Sequence, residues 1–469
     1  MKKIFHFIIL VSLTSLFTAC YVDPRKIDPV PATPVIARGT ADFTKYIAVG
    51  NSLTAGFADG GLYNAGIMGS YPNLLATQFR LAGGGAFVQP LFSASASDGT
   101  PYRKQIGVPS PTNTPQSFDL TTGASCGKFA VVGPSLYNAL APLLQPYVGP
   151  PLNNLGVPGI RVNQLGAANF GQNHAPSPTD PFFNNFYERM LNSSNRSASY
   201  QDYVAAQAAN ATFFTCWLGN NDVLGYATAG APDSPTAGIN DLTSVSTFTT
   251  NFQAMMTALL ANGREGVVVT IPYVDKAPFF TTVTLAAFQA RIQAGGGPAN
   301  APIWIQAQSG VRQATTNDLF LLTSQGYYAG LYNPSTNFLG ASSANPITDV
   351  NVLDSDEVIE IKNRTDAFNA VITAYASNPN VAVVNINTAV LDALASPAGF
   401  LSSGITYRSA YLTGGAFSTD GIHLTPAGYA VVANEIIKAT NARFGSAVPL
   451  INTSTFTALR IYGFLCQAP

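Results

Sequence analysis

The sequence predicts an α/β fold with a mostly parallel sheet and helices on both of its faces. Short apolar runs rich in β-branched residues stop at turn residues, and they are too short to be helices, as is typical of buried parallel strands. These runs are 45–49, 212–218, 266–271 and 381–386. Helical patterns lie between and beyond them, at 71–81, 200–209, 247–260, 354–375 and 426–441. Alternation of strand and helix is what places helices on both faces of a sheet.

Three segments do not follow this alternation. Residues 83–151 are rich in Gly, Pro, Ser and Thr, and residues 167–199 mix polar loop with a short aromatic helix around 182–190. Residues 273–352 separate one strand from its following helix by far more than a normal loop, so we expect an inserted lid or subdomain there. We place the main domain at 41–445 and expect 446–469 to pack on it as a C-terminal extension.

The composition excludes some classes of protein. Apolar residues make up 47% of the 469 residues, which is enough for a sizeable core and excludes wholesale disorder. Charged residues reach only 10%, while Gly (41) and Pro (32) are plentiful, as suits a loop-rich extracytoplasmic protein. The net charge is −1 and no run of Lys or Arg occurs, so nucleic acid is not an expected partner.

The first residues have the pattern of an export signal. Lys2 and Lys3 precede a mostly apolar stretch, 4–17, that is too short to span a bilayer comfortably. Residues 16–20, Leu-Phe-Thr-Ala-Cys, resemble the lipobox of bacterial lipoproteins, although Phe17 replaces the usual Leu. We therefore expect a signal peptide over 1–20, lipidation of Cys20, a Pro-rich tether over 21–40, and anchoring to the outer membrane on its periplasmic or outer side. The alternative is an ordinary cleaved signal with an incidental Cys.

Three cysteines remain after Cys20, so at most one intramolecular disulfide is expected. Cys216 lies in an apolar run and is predicted to be a buried small hydrophobe. That leaves Cys126 and Cys466 as a candidate pair. The spacing of the cysteines matches no metal site, so we expect no metal.

Two histidines follow the predicted signal, and one of them has the surroundings of a catalytic base. His423 stands three residues after Asp420, close enough for the carboxylate to orient the imidazole. His174 lies among Gly, Asn, Gln and Pro residues and is predicted to be a solvated loop residue. Ser52 directly follows the first predicted strand, where Gly50 allows a tight turn that exposes a nucleophile. Each of these short motifs also occurs in turns that carry no chemistry.

Two further loops offer groups that stabilise an oxyanion. Asn221 lies in 219–222, Gly-Asn-Asn-Asp, just past the second predicted strand, and a side-chain amide there is able to bind a developing negative charge. Gly159 ends 154–159, where a backbone N–H is able to approach the same oxygen. Taken singly, both segments read equally well as ordinary turns.

Taken in order, these blocks resemble the SGNH, or GDSL, hydrolase family. Residues 50–53, Gly-Asn-Ser-Leu, are similar to the family's Gly-Asp-Ser-Leu block, with Asn51 in place of Asp. Residues 154–159, 219–222 and 420–423 resemble its Gly, Gly-x-Asn-Asp and Asp-x-x-His blocks. The resemblance implies a three-layer α/β/α, flavodoxin-like fold and a hydrolase acting on ester bonds. Because the family's Asp is not a triad member, we expect Asn51 to keep the hydrogen bonding of the turn without its charge.

The resemblance also implies a role for each residue. Ser52 would attack an ester carbonyl, His423 would accept its proton, and Asp420 would orient His423. The backbone N–H groups of Ser52 and Gly159, with the side chain of Asn221, would hold the oxyanion. No metal or organic cofactor is implied.

The substrate is less well defined by the sequence. Several aromatic residues of the insertion are candidates to line an acyl groove or a sugar platform, although such residues more often pack a subdomain's own core. They are Tyr273, Phe279, Phe280, Trp304, Tyr327, Tyr328 and Tyr332. We expect a lipid or short-chain carboxylic ester, with O-deacetylation of a polysaccharide as the alternative reaction. A non-catalytic binding lipoprotein is the other alternative, and a binder has no need of all four blocks.

Overall fold

The computed structural model of the protein describes residues 36–107, 128–132, 145–171, 183–324, 339–456 and 458. Several predicted features lie outside these residues: the signal and tether with Cys20, the candidate pair Cys126 and Cys466, His174, and Tyr327, Tyr328 and Tyr332. Cys216 is buried with a free thiol, as predicted.

The core of the molecule is a sheet of five parallel strands. They are β1 (Tyr46–Gly50), β2 (Asn154–Gly156), β3 (Phe213–Trp217), β4 (Glu265–Val269) and β5 (Val381–Val384). Their order across the sheet is β5-β4-β3-β1-β2, and every neighbouring pair is parallel. This is the 2-1-3-4-5 order of flavodoxin-like folds, so the predicted fold class is confirmed. The four predicted strands are all present, and β2 is an additional strand that was not predicted from the sequence.

Helices follow the strands and cover both faces of the sheet. The main helices are α1 (Ser52–Ala55), α2 (Tyr71–Leu81), α3 (Tyr200–Ala208), α4 (Asn221–Thr228), α5 (Val245–Leu260), α6 (Ser355–Thr373) and α7 (Pro426–Phe444). Shorter ones are Asn64–Met68, Asn185–Glu188, Pro278–Thr281, Leu285–Ala294 and Asp392–Ala395, and a π-helical turn spans Asn387–Leu391. Local capping sets several ends: Asp354 and Glu357 form a capping box before α6, and Thr425 caps α7.

Alternation along the strands divides the core into two layers. In β1, Ile47 and Val49 face a cluster that includes residues of α3, α5 and α6, whereas Tyr46 and Ala48 face a cluster built on α2 and α7. Because successive strand residues point to opposite faces, a fully apolar strand is buried on both sides. The result is a three-layer α/β/α arrangement. The carboxyl ends of β1 and β3 lie side by side at the point where strand order reverses, which is where such sheets bind ligands.

The insertion at 273–352 contains an apolar cluster of its own. It includes Phe288 and Phe320, whose rings meet edge to face with centroids 4.6 Å apart. Two antiparallel pairs lie in this region: Trp304–Ala307 with Gly310–Gln313, and Leu319–Phe320 with Val352–Leu353. Elsewhere, the backbones of Tyr102–Gly107 and Lys128–Val132 pair in antiparallel fashion, and Phe400–Ser402 forms a hairpin with Ile405–Tyr407.

The segment after α7 returns to the main body. Val448 and Ile451 join the cluster built on α2 and α7, and the Ile451 N–H donates to Asn434 Oδ1 at 2.7 Å. Among the described residues, no helix has both the length and the apolar character needed to cross a membrane. In the same part of the chain, no group of three or more His, Cys, Asp or Glu residues is arranged to hold a metal ion.

Candidate active site

Ser52 lies at the carboxyl end of β1, where the chain turns directly from strand into helix α1. Gly50 is required at the turn, because a Cβ atom there would lie 2.0 Å from Thr54 Oγ1. Asn51 Oδ1 accepts the Leu53 N–H at 3.0 Å and so caps α1. An Asp at this position would make the same bond, so the amide preserves this contact of the turn without a buried charge.

Ser52, His423 and Asp420 form a continuous chain of hydrogen bonds. His423 Nε2 lies 2.9 Å from Ser52 Oγ, and His423 Nδ1 lies 2.8 Å from Asp420 Oδ2. Ser52 and His423 are 371 residues apart in the sequence. The loop that carries His423 is closed by the Ser418 N–H, which donates to the His423 carbonyl at 2.8 Å. This is the arrangement in which an imidazole deprotonates a hydroxyl and a carboxylate fixes the tautomer of the imidazole.

The Asp420 carboxylate is held by donors on every side. Besides the imidazole, it accepts the backbone N–H groups of Gly60, Ile422 and His423 at 3.0, 2.9 and 2.8 Å, and the Ser418 hydroxyl at 3.1 Å. Burial by itself would raise the pKa of Asp420. The charge and hydrogen bond of His423, together with the N–H donors, outweigh burial and hold that pKa well below its usual range. Asp420 is therefore ionised at neutral pH and fixed in position.

Asp59 supports this arrangement, although it is not among the site residues predicted from the sequence. Its Oδ1 accepts the Thr419 N–H at 3.0 Å, and its own N–H donates to Ser418 Oγ at 2.9 Å. Asp59 has a left-handed φ of 57°, which is unusual for a residue other than Gly. The Asp-Gly pair at 59–60 signals a turn in the sequence. Its partners are about 360 residues further along the chain, and no local signal indicates them.

Asn221 and Gly159 belong to loops that are bonded to each other. Asn221 opens helix α4 just past β3, and its Nδ2 donates to the Ile160 carbonyl at 2.9 Å. Gly159 precedes Ile160 in a tight turn closed by the Ile160 N–H on the Val157 carbonyl, and its φ of 81° favours Gly. The predicted oxyanion groups are thus brought to one edge of the sheet. Within the part of the chain that the structure describes, Asn221 Nδ2 has this one acceptor, so its second N–H is able to bind a ligand.

Asp222 fixes the segment that follows Gly159. Its buried carboxylate accepts the Val162 N–H at 2.8 Å and the Thr243 hydroxyl at 2.7 Å. Burial raises the pKa of Asp222, and these hydrogen bonds and the nearby Arg161 lower it. Burial has the larger effect, and the resulting pKa is about 6. Arg161 in turn forms a salt bridge of 2.6 Å with Asp241. This polar cluster is positioned to hold the Gly159 turn against α4.

A comparison with family models agrees with this geometry. The model of the GDSL-like lipase/acylhydrolase family matches residues 46–436, which include all four sequence blocks and the residues that meet in the site. The chain belongs to this family. Its members hydrolyse esters, so a hydrolase acting on ester bonds is the general activity that membership supports. Comparison with curated proteins and with solved structures found no match.

In this GDSL-like acylhydrolase, an apolar cavity opens beside Ser52. The space free of protein atoms in and around it is about 820 Å³, a figure that includes open solvent at its mouth. Ser52, His423 and Asn221 lie on its lining, and most of the other lining side chains are aliphatic or aromatic. The wall is built mainly from the end of β3, the π-helical turn and α7: Trp217, Ile386, Val390, Leu391, Leu394, Val431 and Val432.

The aromatic residues expected to form the substrate surface have mostly other positions. Tyr273 lines the cavity beside Ser52, and its hydroxyl donates to Asp366. Phe279 lines a separate, more polar cavity behind Asp420. Phe280 is fully buried in the main core, and Trp304 is half-buried in a hairpin of the insertion. Within the described residues, aliphatic side chains of the core supply most of the apolar surface next to the nucleophile.

Proposed function

We propose that this protein is a serine-dependent carboxylic ester hydrolase that works through an acyl-enzyme on Ser52. The main support for the proposal is the pair of hydrogen bonds that links the three side chains. Ser52 Oγ lies 2.9 Å from His423 Nε2, and His423 Nδ1 lies 2.8 Å from Asp420 Oδ2. A hydroxyl is a weak nucleophile unless a positioned base removes its proton, and this arrangement supplies one.

Each step of the proposed reaction uses a group in the site. Ser52 Oγ attacks the ester carbonyl while His423 Nε2 takes the hydroxyl proton, and Asp420 stabilises the resulting imidazolium. The negative oxygen of the tetrahedral intermediate is bound by the N–H groups of Ser52 and Gly159 and by Asn221 Nδ2. Collapse breaks the bond to the alcohol, which leaves with the proton from His423. Water, deprotonated by His423, then releases the carboxylic acid. Groups of the protein chain and water carry every step, so the proposal invokes no cofactor.

The cavity favours esters with an acyl chain over acetylated polysaccharides. An acetyl group would leave nearly all of the apolar lining without a partner, whereas a hydrocarbon chain gains about 0.8 kcal/mol for each buried methylene. We therefore propose a lipid or other acyl ester as the substrate. If the enzyme hydrolyses acetylated xylan and does not hydrolyse longer acyl esters, the alternative reaction, polysaccharide O-deacetylation, is the correct one.

Labelling with a fluorophosphonate probe tests the nucleophile and separates an enzyme from a binding protein. The wild-type protein is expected to be labelled and to hydrolyse p-nitrophenyl esters, and Ser52→Ala is expected to lose both properties with little change in melting temperature. Ser95→Ala, a change at an exposed serine, is the matched control and should behave as wild type. Full activity in Ser52→Ala would remove Ser52 as the nucleophile. Absence of labelling and of hydrolysis in the folded wild-type protein would favour the binding-protein alternative.

We also propose that the enzyme is exported and anchored by a lipid on Cys20. The support is the basic and apolar N-terminal stretch and the lipobox-like residues 16–20. Growth with an alkyne-tagged fatty acid is expected to label the protein and leave it in the membrane fraction. Cys20→Ser should lose the label and the membrane association. A Cys20→Ser protein that remains labelled would contradict the proposal, and protease treatment of intact cells would distinguish the two sides of the outer membrane.

A further inference from the structure

The cavity contains an amide group that the fold leaves unused. Asn220 stands between Gly219 and Asn221, is only 6% exposed, and lies on the same cavity lining as Ser52. Neither its Nδ2 nor its Oδ1 has a hydrogen-bond partner among the described residues. The backbone carbonyl of Asn220 accepts from α4, but the side chain does not cap that helix.

A buried amide without hydrogen-bond partners destabilises the folded protein, and a ligand in the cavity that bonds to it would offset this cost. Leaving a buried polar group unsatisfied costs about 1–3 kcal/mol. Asn51 also has an unpartnered Nδ2, but its Oδ1 caps α1, which gives that residue a structural use. Asn220 has no such use at either end of its amide. The described part of the chain therefore supplies no structural reason for an amide, rather than an apolar group, at this position.

The surroundings restrict the chemistry of the missing partner. The neighbouring lining is apolar, including Trp217, Val223 and Ile386, and a charged group would be poorly solvated there. An unsubstituted alkyl chain would displace any water from the amide without replacing its hydrogen bonds. A keto oxygen accepts only. A hydroxyl both accepts from Nδ2 and donates to Oδ1, so it satisfies an amide that has both ends free.

We propose that Asn220 is a specificity-determining residue that selects esters whose acyl chain carries a hydroxyl group close to the carbonyl. This rests on the proposed function, in which the carbonyl is attacked by Ser52 and held by Asn221. Asn220 is adjacent to Asn221 in the chain and shares the cavity lining with Ser52. In the proposed complex, the acyl chain therefore passes Asn220 close to the carbonyl carbon. The remaining carbons follow the apolar wall formed by the π-helical turn and α7.

The test compares 3-hydroxyoctanoyl and octanoyl p-nitrophenyl esters. The wild-type enzyme is expected to prefer the hydroxyacyl ester in kcat/KM by roughly tenfold or more, because a site built for a hydroxyl penalises its absence. Asn220→Leu, which has similar size and no polar atoms, is expected to reverse this preference. Asn220→Ala gives the same ratio test if the leucine variant does not fold. Asn317→Leu, at an exposed position outside the cavity, is the matched control and should keep the wild-type ratio.

Each outcome separates this inference from the function on which it rests. Equal rates for the two esters in the wild-type enzyme, or a preference for octanoyl, would overturn the role of Asn220 while leaving Ser52-dependent hydrolysis intact. A hydroxyacyl preference that survives in both Asn220 variants would also overturn it. If the wild-type enzyme and Ser52→Ala are equally inactive on all esters, including acetyl, then the proposed function itself is wrong.

Discussion

Lengthening the acyl chain of an unsubstituted ester should raise kcat/KM until the cavity beside Ser52 is filled. Burying one methylene contributes about 0.8 kcal/mol, which is about fourfold in rate. Acetyl and octanoyl esters differ by about six methylenes, so full burial would give about 5 kcal/mol, or more than three orders of magnitude. Most of the side chains that line the cavity are aliphatic or aromatic, so an acyl chain that enters it is buried against apolar surface. Every longer unsubstituted ester leaves the Asn220 amide without a hydrogen-bond partner, so the free-energy cost is the same for each of them. This cost therefore does not remove the increase of kcat/KM with chain length.

Narrowing the cavity should reduce this dependence on chain length. Val432 lies on α7, is buried and lines the cavity, so Val432→Phe places a ring where the acyl chain runs. We expect the ratio of octanoyl to acetyl kcat/KM to fall by roughly tenfold or more, equivalent to losing about two buried methylenes. The assay is hydrolysis of a p-nitrophenyl ester series from acetyl to dodecanoyl, below the solubility limit of each ester.

A control is needed because an extra ring in a packed core costs about 1–3 kcal/mol of stability wherever it is placed. Val204 is equally buried on the opposite face of the sheet and is not part of the cavity, so Val204→Phe imposes a similar strain and should keep the wild-type ratio. A wild-type rate that stays flat or falls beyond acetyl would refute the acyl cavity. So would a folded Val432→Phe enzyme with an unchanged ratio.

Three further predictions concern the polar groups of the site. Asp420→Asn should lower kcat by roughly a thousandfold or more, as the same change does in a serine protease triad, because the amide supports the wrong imidazole tautomer; an enzyme that keeps a tenth of its kcat would contradict this. Asn221→Ala should lower kcat by roughly a hundredfold with little change in KM, and an unchanged kcat would rule out an oxyanion role. Because burial raises the pKa of Asp222 to about 6, its contribution to stability is greatest below about pH 4 and is lost as pH rises through about 6. In denaturant unfolding, the free energy of unfolding of Asp222→Asn should therefore rise by about 2 kcal/mol relative to that of wild type between about pH 4.5 and 7.5. A difference between the two proteins that does not change with pH would contradict this.

The sequence predicted the regular elements of the fold well, because their signals are local. Helix α2 has the expected bounds, and α6 begins beside the predicted start, where Asp354 and Glu357 form a capping box. All four apolar runs form strands of the five-stranded sheet. Strand β2 has only three residues, too few for any periodicity, and it was recognised only as a motif.

Predictions that depend on distant parts of the chain were less complete. The sequence named Ser52, Asp420 and His423, and the structure brings their side chains together, but it gave no sign that Asp59 and Gly60 hold the loop around Asp420. It also directed attention to aromatic residues of the insertion, whereas the cavity is lined mainly by aliphatic residues of the core. Those residues have the pattern of ordinary buried helix and strand positions, and only tertiary packing leaves a space between them.

The bonds from Gly60 to Asp420 and from Asp59 to Thr419 join the start of the folded region to a loop that is synthesised late. A nascent chain that stops short of residue 423 contains Ser52 but lacks the imidazole of the proposed site. Because contacts between distant parts of a chain form slowly, we expect the site to assemble late in folding. If the proposed function is correct, ester hydrolysis would then be a measure of complete folding.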